Sequence, residues 1–141
     1  MRRTAALLLL VTLAACASNA RPRALAMQVF EQRGRYRAMS VAGQHAFAVR
    51  ITNRSEETIS VDAISLNPST TSLQFSNSDQ TVGLLLESGE TQDVSMFVDV
   101  QGVAGSPISE IDFVDVSVTC HSPQRGTFTE TQSCSVASVS Q

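Results

Sequence analysis

Residues 47–53 read Phe-Ala-Val-Arg-Ile-Thr-Asn, and in this stretch Phe47, Val49 and Ile51 alternate with small or polar side chains. Because successive side chains of a β-strand point to opposite faces, this period of two predicts a strand with one buried face. The run stops at residues 53–57, Asn-Arg-Ser-Glu-Glu, a polar composition that is typical of a turn. The stretch therefore predicts a half-buried strand followed by a hairpin.

The same period of two recurs after residue 35, in stretches that are separated by turn-forming residues. The apolar positions change phase near Ala63, which predicts a β-bulge there. No stretch after residue 35 has a helical period, whereas residues 26–33 are compatible with either a strand or a short helix. The further alternating stretches are 59–66, 73–75, 82–86, 94–100, 114–120 and 127–139.

Three segments carry a resemblance to known folds: residues 47–53, the following Ile59-Ser-Val-Asp-Ala-Ile-Ser-Leu, and the turn Leu86-Glu-Ser-Gly-Glu-Thr. Together they resemble the immunoglobulin-like and fibronectin-type domains of bacterial exported proteins, over about residues 35–139. The resemblance implies an all-β fold, an immunoglobulin-like antiparallel β-sandwich of about seven strands. It departs from antibody-type domains because the chain has no Trp, and a fold of this kind does not by itself supply a function.

The first fifteen residues have the three-part plan of a secretory signal peptide. Arg2 and Arg3 are followed by an apolar run that ends in small residues. We expect this segment to form a helix and to be removed from the mature protein. No segment has the roughly 18 to 20 apolar residues that a membrane-spanning helix needs.

The junction Leu13-Ala14-Ala15-Cys16 resembles the lipobox of bacterial lipoproteins. That resemblance implies cleavage just before Cys16 and attachment of lipid to its thiol, so the protein is expected to be anchored in the cell envelope. Ala17 follows the cysteine, whereas Asp at that position favours inner-membrane retention in enteric lipoproteins. The periplasmic face of the outer membrane is therefore favoured over the inner membrane. The alternative is cleavage after an Ala-x-Ala-like site, which would release a soluble protein.

The expected organisation has three parts. Residues 1–15 form the signal peptide, residues 16–25 form a tether without periodicity, and residues 26–141 form the β-sandwich domain. A chain of 141 residues has room for one such domain.

The chain contains an odd number of cysteines, three in all. Assigning Cys16 to lipid leaves Cys120 and Cys134, which enclose thirteen residues. In an oxidising compartment this spacing predicts a disulfide worth roughly 3 kcal/mol. The alternatives are two buried reduced thiols or a metal or redox pair, but neither a C-x-x-C motif nor a four-ligand zinc pattern is present.

Charge is distributed unevenly along the chain, whose net charge is −3. Residues 16–54 contain seven Arg and one acidic residue, whereas from residue 55 onward Arg125 stands against twelve acidic residues. Two interpretations remain open: the basic N-terminal part contacts anionic lipid head groups, or these are solvated side chains on early strands. Negative net charge and export exclude a nucleic-acid partner.

No recognisable catalytic motif is present, so no catalytic residues, no metal ligands and no cofactor are predicted. The two histidines, His45 and His121, have none of the spacings that place two metal ligands on one face of a strand. We expect His45 at a strand edge and His121 in a turn.

These observations predict a non-enzymatic, lipid-anchored envelope protein that acts as a binding or accessory module. Its expected partners are the membrane, through the N-terminal lipid, and an envelope protein or polymer bound through loops or an exposed sheet edge. The loop at residues 120–128 is the predicted contact, with His121, Gln124 and Arg125 as binding residues. The alternatives are a periplasmic carrier of a metal or small ligand, and an inhibitor or accessory subunit of an envelope enzyme.

Overall fold

A computed structural model describes residues 22–33, 43–105 and 111–140 of the protein. Regular structure in these residues is β apart from a 3-10 turn at Val103–Gly105, which confirms the all-β prediction. The segment predicted as the signal peptide and Cys16 lie outside the described residues. No helix among the described residues is long and apolar enough to cross a bilayer. The strands are β1 (Leu25–Arg33), β2 (Gly43–Asn53), β3 (Ile59–Pro68), β4 (Leu73–Ser76), β5 (Asp79–Leu86), β6 (Thr91–Gly102), β7 (Phe113–Ser122) and β8 (Gly126–Ser140).

The eight strands of the described residues, rather than about seven, form one hydrogen-bonded sheet in the order β4-β6-β2-β1-β8-β7-β3-β5. All neighbours pair antiparallel except β1 and β8, which are parallel. We call β4-β6-β2-β1 the first half of the sheet and β8-β7-β3-β5 the second half. The sheet curls, because strands of opposite halves contact each other and the apolar faces of both halves share a buried core.

Strand β8 joins the two halves by changing partner along its length. Its N-terminal part pairs with β7, from Gly126 opposite Ser122 to Ser135 opposite Phe113. Its last five residues pair instead with the end of β1, in parallel register. A fifteen-residue strand can serve both halves in this way because its two edges offer separate rows of backbone donors and acceptors.

The core follows from the alternation in the sequence. Phe47, Val49 and Ile51 of β2 are at most 1 % exposed, as the period of two predicts. Strand β7 in the second half shows the same alternation, with Val114, Val116 and Val118 fully buried. Because each half has one apolar face, the two faces cover each other and remove that surface from water.

A register shift interrupts β3 between Val61 and Ala63, against both of its neighbours. This confirms the predicted bulge. Relative to β7 the extra residue lies in β3, and the strand changes phase there, so that Val61 before it and Ile64 and Leu66 after it are all buried. Relative to β3 the extra residue lies in β5, between Thr81 and Leu84.

The N-terminal boundary lies slightly earlier than the sequence predicts. Residues 25–33 form a strand, which resolves the ambiguity between strand and helix in residues 26–33. Ala24 and Leu25 fall within the expected tether, yet they are 1 % and 2 % exposed. The Glu130 side chain holds them in place, since its two carboxylate oxygens accept the backbone N–H groups of Ala24 at 2.8 Å and Leu25 at 3.1 Å.

Candidate functional site

The predicted disulfide between Cys120 and Cys134 is not formed in the structure, in which both thiols are free and buried. The register explains why: Cys120 lies opposite Phe128, whereas Cys134 lies opposite Val114. Six residues of β7 separate Val114 from Cys120, which is roughly 20 Å along an antiparallel strand. A disulfide needs Cα atoms within about 7 Å of each other, so this register excludes one.

The sequence spacing of the cysteines gave no information on this point, because it specifies a loop length and not a register. The hairpin turns at residues 123–125, close to Cys120 rather than midway between the two cysteines. Burial, together with the nearby carboxylates of Glu130 and Asp62, raises the pKa of the Cys120 thiol to about 12. Burial also raises the pKa of Cys134, whose Sγ lies 3.6 Å from the Met27 carbonyl oxygen. Neither thiol is therefore a nucleophile at neutral pH.

The predicted loop at residues 120–128 is wrong: only residues 123–125 form a turn, and His121 lies in β7 rather than in a turn. Each of the three residues predicted for binding has an intramolecular contact. His121 Nδ1 lies 2.9 Å from the Asp62 carboxylate. The backbone N–H of Gln124 donates to Glu57 Oε1 at 2.9 Å. Arg125 donates from Nη2 to the Pro22 carbonyl at 3.3 Å. Their role in binding a partner stays a prediction.

This turn lies at the end of the domain where the chain enters β1, which we call the tether end. Arg125 contacts Pro22 there, and the Arg54 N–H donates to the Ala24 carbonyl at 2.7 Å. The turn between β5 and β6 is at the same end, since Gly89 N–H donates to the Asn53 carbonyl at 2.8 Å. Any anchor upstream of Pro22 therefore holds this end of the domain closest to its attachment point.

Within the described residues, the tether end carries charges of both signs. The tether end carries Arg23, Arg54 and Arg125, but the two neighbouring turns at residues 54–58 and 87–90 add four glutamates. Further along β2, Arg50 forms a bidentate pair with Asp93, at 2.8 and 3.0 Å. The described tether end therefore has no excess of positive charge with which to attract anionic head groups.

Glu31 and His45 form a pair near the opposite end of the core, with His45 Nδ1 2.8 Å from Glu31 Oε1. Glu31 is 8 % exposed and is the buried charged residue of the described part of the chain. The expectation that His45 lies at a strand edge is wrong, because β2 pairs with β1 on one side and with β6 on the other. The His45 side chain is 13 % exposed and its ring stacks on Phe47, with centroids 6.3 Å apart. Among the described residues no group of three or more His, Cys, Asp or Glu side chains could hold a metal ion.

An open seam separates β1 from β8 before their parallel pairing begins. It encloses about 280 Å³, with Met27, Val29, Gln132 and Cys134 among its lining residues. This is at the lower limit of small-molecule sites, which range from roughly 300 to 1,000 Å³. The seam is therefore a weaker candidate for function than the free edge of the sheet.

Strand β5 is that free edge. It pairs with β3 on one side, and no other strand of the described residues pairs with its second side. Because hydrogen bonds alternate between the two sides of a strand, about half of its backbone N–H and C=O groups point to the unpaired side. Such a row of groups is a template for pairing with another chain.

The side chains of β5 do not protect this edge. Residues 80–86 read Gln-Thr-Val-Gly-Leu-Leu-Leu, without a charge or a proline, although natural edge strands commonly carry one or the other. Leu85 points away from the core and is 61 % exposed, more than any other large apolar side chain of the described residues. Val82 and Leu84 face inward and pack against the core while remaining partly accessible. The other edge strand, β4, is only four residues long.

The comparisons with known proteins give remote structural similarity and no family. No family model matches the chain, and no curated protein matches it. Among solved structures it is similar to a FixG-related protein from Vibrio parahaemolyticus, with 9 % identity over 82 % of this chain and 98 % of that chain and a TM-score of 0.35. It is also similar to the ASH/PapD-like domain 7 of human CEP192, with 12 % identity over 84 % and 87 % of the two chains and a TM-score of 0.37. Similarity at this level assigns no function.

The free thiols give a direct prediction. Iodoacetamide at pH 8, without reductant, should leave Cys120 and Cys134 unmodified in the native protein, because burial keeps both thiols protonated and inaccessible. After denaturation without reductant both should be alkylated, as measured by peptide mass spectrometry. If neither cysteine of the denatured protein were alkylated, a disulfide would be present and the β7–β8 register would be wrong.

Proposed function

We propose that the protein is a lipid-anchored component of the bacterial cell envelope that binds a protein partner by strand addition at β5 and catalyses no reaction. The observation that carries this proposal is the unprotected edge of β5 in the described sheet. The lipobox-like Leu13-Ala14-Ala15-Cys16 supports the anchor, and Ala17 supports the periplasmic face of the outer membrane.

The finer fold belongs to the same proposal. We infer that the curled sheet is an immunoglobulin-like sandwich in which the first and second halves are the two layers. In support, each half is antiparallel and contributes its apolar face to a shared core. Sandwiches of this kind leave edge strands, and edge strands are where an added strand finds backbone partners.

Energetics favour the edge over the predicted loop. Each backbone hydrogen bond to an added strand contributes about 1 kcal/mol net, and the apolar side chains of the strand add burial to this. The backbone N–H of Gln124 and the side chains of His121 and Arg125 are engaged in contacts within the domain, near the attachment point. A partner in the periplasm reaches β5 without disturbing those contacts.

A binding role also agrees with the chemistry of the described side chains. The Glu31–His45 pair is the arrangement nearest to an acid–base site, since a carboxylate can orient an imidazole. Both side chains face the interior, and the His45 side chain is 13 % exposed. We therefore assign the pair to holding the end of the core rather than to catalysis.

The tether limits how far the domain stands from the membrane. Pro22 is held by Arg125, so only the residues from Cys16 to Pro22 span the gap. Six extended residues reach at most roughly 21 Å. Two or three acyl chains on Cys16, each CH₂ contributing about 0.8 kcal/mol, would hold the protein permanently.

Replacement of the anchor tests the first part of the proposal. Cys16→Ser should move the protein from the membrane fraction to the soluble fraction, because no lipid can then be attached. Ser18→Ala, a neighbouring change that keeps Cys16, should remain with the membrane. Retention of the Cys16→Ser variant after a high-salt wash, measured by immunoblotting of the fractions, would contradict the anchor.

A photocrosslinking residue tests the second part. p-Benzoylphenylalanine at position 85 of the full chain should form adducts with another polypeptide in irradiated cells, because Leu85 lies beside the free edge. The control is the same residue at position 97, where Phe97 is 59 % exposed on the first half of the sheet. Absence of any adduct at position 85 on denaturing gels, or equal yields at both positions, would contradict strand addition at β5.

A further inference from the structure

We infer that the strand added to β5 is β5 of a second copy of this chain, antiparallel and with the two-fold axis passing through Leu84. This inference rests on the proposed function, strand addition at β5, and names the partner. It follows from the charges, the exposed side chains and the empty space along one short strand.

The charge distribution of β5 permits self-pairing. Residues 80–86 are uncharged, and acidic residues flank them at Asp79 and Glu87. A partner strand drawn by charge would need basic residues opposite these two, whereas a second copy needs only a register that keeps acidic residues apart. Like charges placed directly opposite each other destabilise a strand pair.

Geometry restricts the register to a few choices. Directly opposed residues of an antiparallel pair share one face of the sheet, so a two-fold axis that keeps inward residues inward must pass through a residue. An axis through Gly83 would set Asp79 against the partner's Glu87 and is disfavoured by repulsion. An axis through Val82 would set Asp79 against the partner's Leu85 and is disfavoured by desolvation of the carboxylate.

An axis through Leu84 avoids both conflicts and matches large residues with empty space. It places Leu85 opposite the partner's Gly83 on the outer face. A Cβ added to Gly83 would meet no atom within 4 Å, so there is room above this glycine for a leucine side chain. The exposed Leu85 of each copy would therefore be covered by packing over the other copy's glycine.

The inward face is complementary in the same register. Val82 lies opposite the partner's Leu86, and the two Leu84 side chains meet on the axis. Val82 and Leu84 pack against the core while staying partly accessible, and the partner strand would complete their burial. The second halves of the two sheets would then form a continuous eight-stranded sheet with a shared apolar face.

The anchor is compatible with this dimer. The tether end is level with the end of β5, because Asn53 pairs with Leu25 and its side chain donates to the Leu86 carbonyl at 3.0 Å. With the axis at Leu84, the tether ends of two antiparallel copies are offset along the strands by four residues, or roughly 14 Å. Both tethers reach one bilayer when the strands lie along the membrane plane.

Cysteine crosslinking in the envelope tests the register. In the full chain, Leu84→Cys places two cysteines opposite each other on the axis with Cα atoms about 4.5 to 5.5 Å apart, within the Cα–Cα range of a disulfide. Leu85→Cys is the matched control, because diagonal neighbours lie about 7 to 8 Å apart and do not bridge. Leu84→Cys should give about tenfold more dimer than Leu85→Cys on non-reducing gels, with a reduction-sensitive band at twice the monomer mass.

The outcomes separate this inference from the proposed function. A Leu84→Cys adduct of another mass, together with photocrosslinks at position 85, would overturn the second copy as partner and keep strand addition. If both cysteine variants stayed monomeric and no photocrosslink formed at position 85, both the second copy as partner and strand addition at β5 would be overturned. More dimer at position 85 than at position 84 would overturn the register.

A measurement on the unmodified protein guards against misfolding of the cysteine variants. Sedimentation velocity of the detergent-extracted chain should give a dimer that Leu85→Lys converts to monomer, because a lysine opposite the partner's Gly83 charges the interface. Phe97→Lys, an equally exposed change on the first half, should remain dimeric. A monomeric natural protein would overturn the inference.

Discussion

The architecture depends on how backbone hydrogen bonds are shared along one curled sheet. The first part of β8 pairs with β7 and its last five residues pair with β1, and this change of partner connects the two halves. Buried N–H and C=O groups require partners, so a sheet that does not close must leave its unpaired groups at its outermost strands. In the described residues those strands are β4 and β5.

Side-chain contacts complete the connection at the tether end. The Glu130 carboxylate receives the first two N–H groups of the β1 region, and the buried Asn53 side chain donates to the carbonyls of Glu57 and Leu86. Asn53 ends β2 in the first half, whereas Leu86 ends β5 in the second half. The end of β5 is thereby fixed to the core, while its outer edge remains available.

The sequence predicted the strands well where one face is apolar and failed where register matters. The alternation at Phe47, Val49 and Ile51 identified β2, and the phase change near Ala63 located the bulge of β3. Periodicity reports which face a residue occupies, but not which residue lies opposite it. The predicted disulfide was therefore wrong. The number of residues between Cys120 and Cys134 suits a bridge, but the two cysteines lie far apart along the β7–β8 pair.

The candidate site was still harder to predict, because an edge is a property of topology. Residues 80–86 form an uncharged run that is visible in the sequence, but only the strand order shows that nothing described pairs with its second side. His45 was misplaced for a related reason: a polar residue near the start of a strand suggests exposure, and its pairing with Glu31 depends on the neighbouring strand. Among the described residues, the turns also bring glutamates beside the arginines of the tether end, which the order of charges along the chain does not show.

Backbone amide hydrogen exchange of β5 in the full chain tests the central claim, that this strand has an open edge, most directly. In dilute protein, the amides of residues 80–86 that are not bonded to β3 should exchange quickly while those bonded to β3 stay protected, and the fast set should become protected as the concentration of the chain rises. Protection of every amide in β5 at all concentrations would contradict the account, because it would mean that the edge is already covered within one chain.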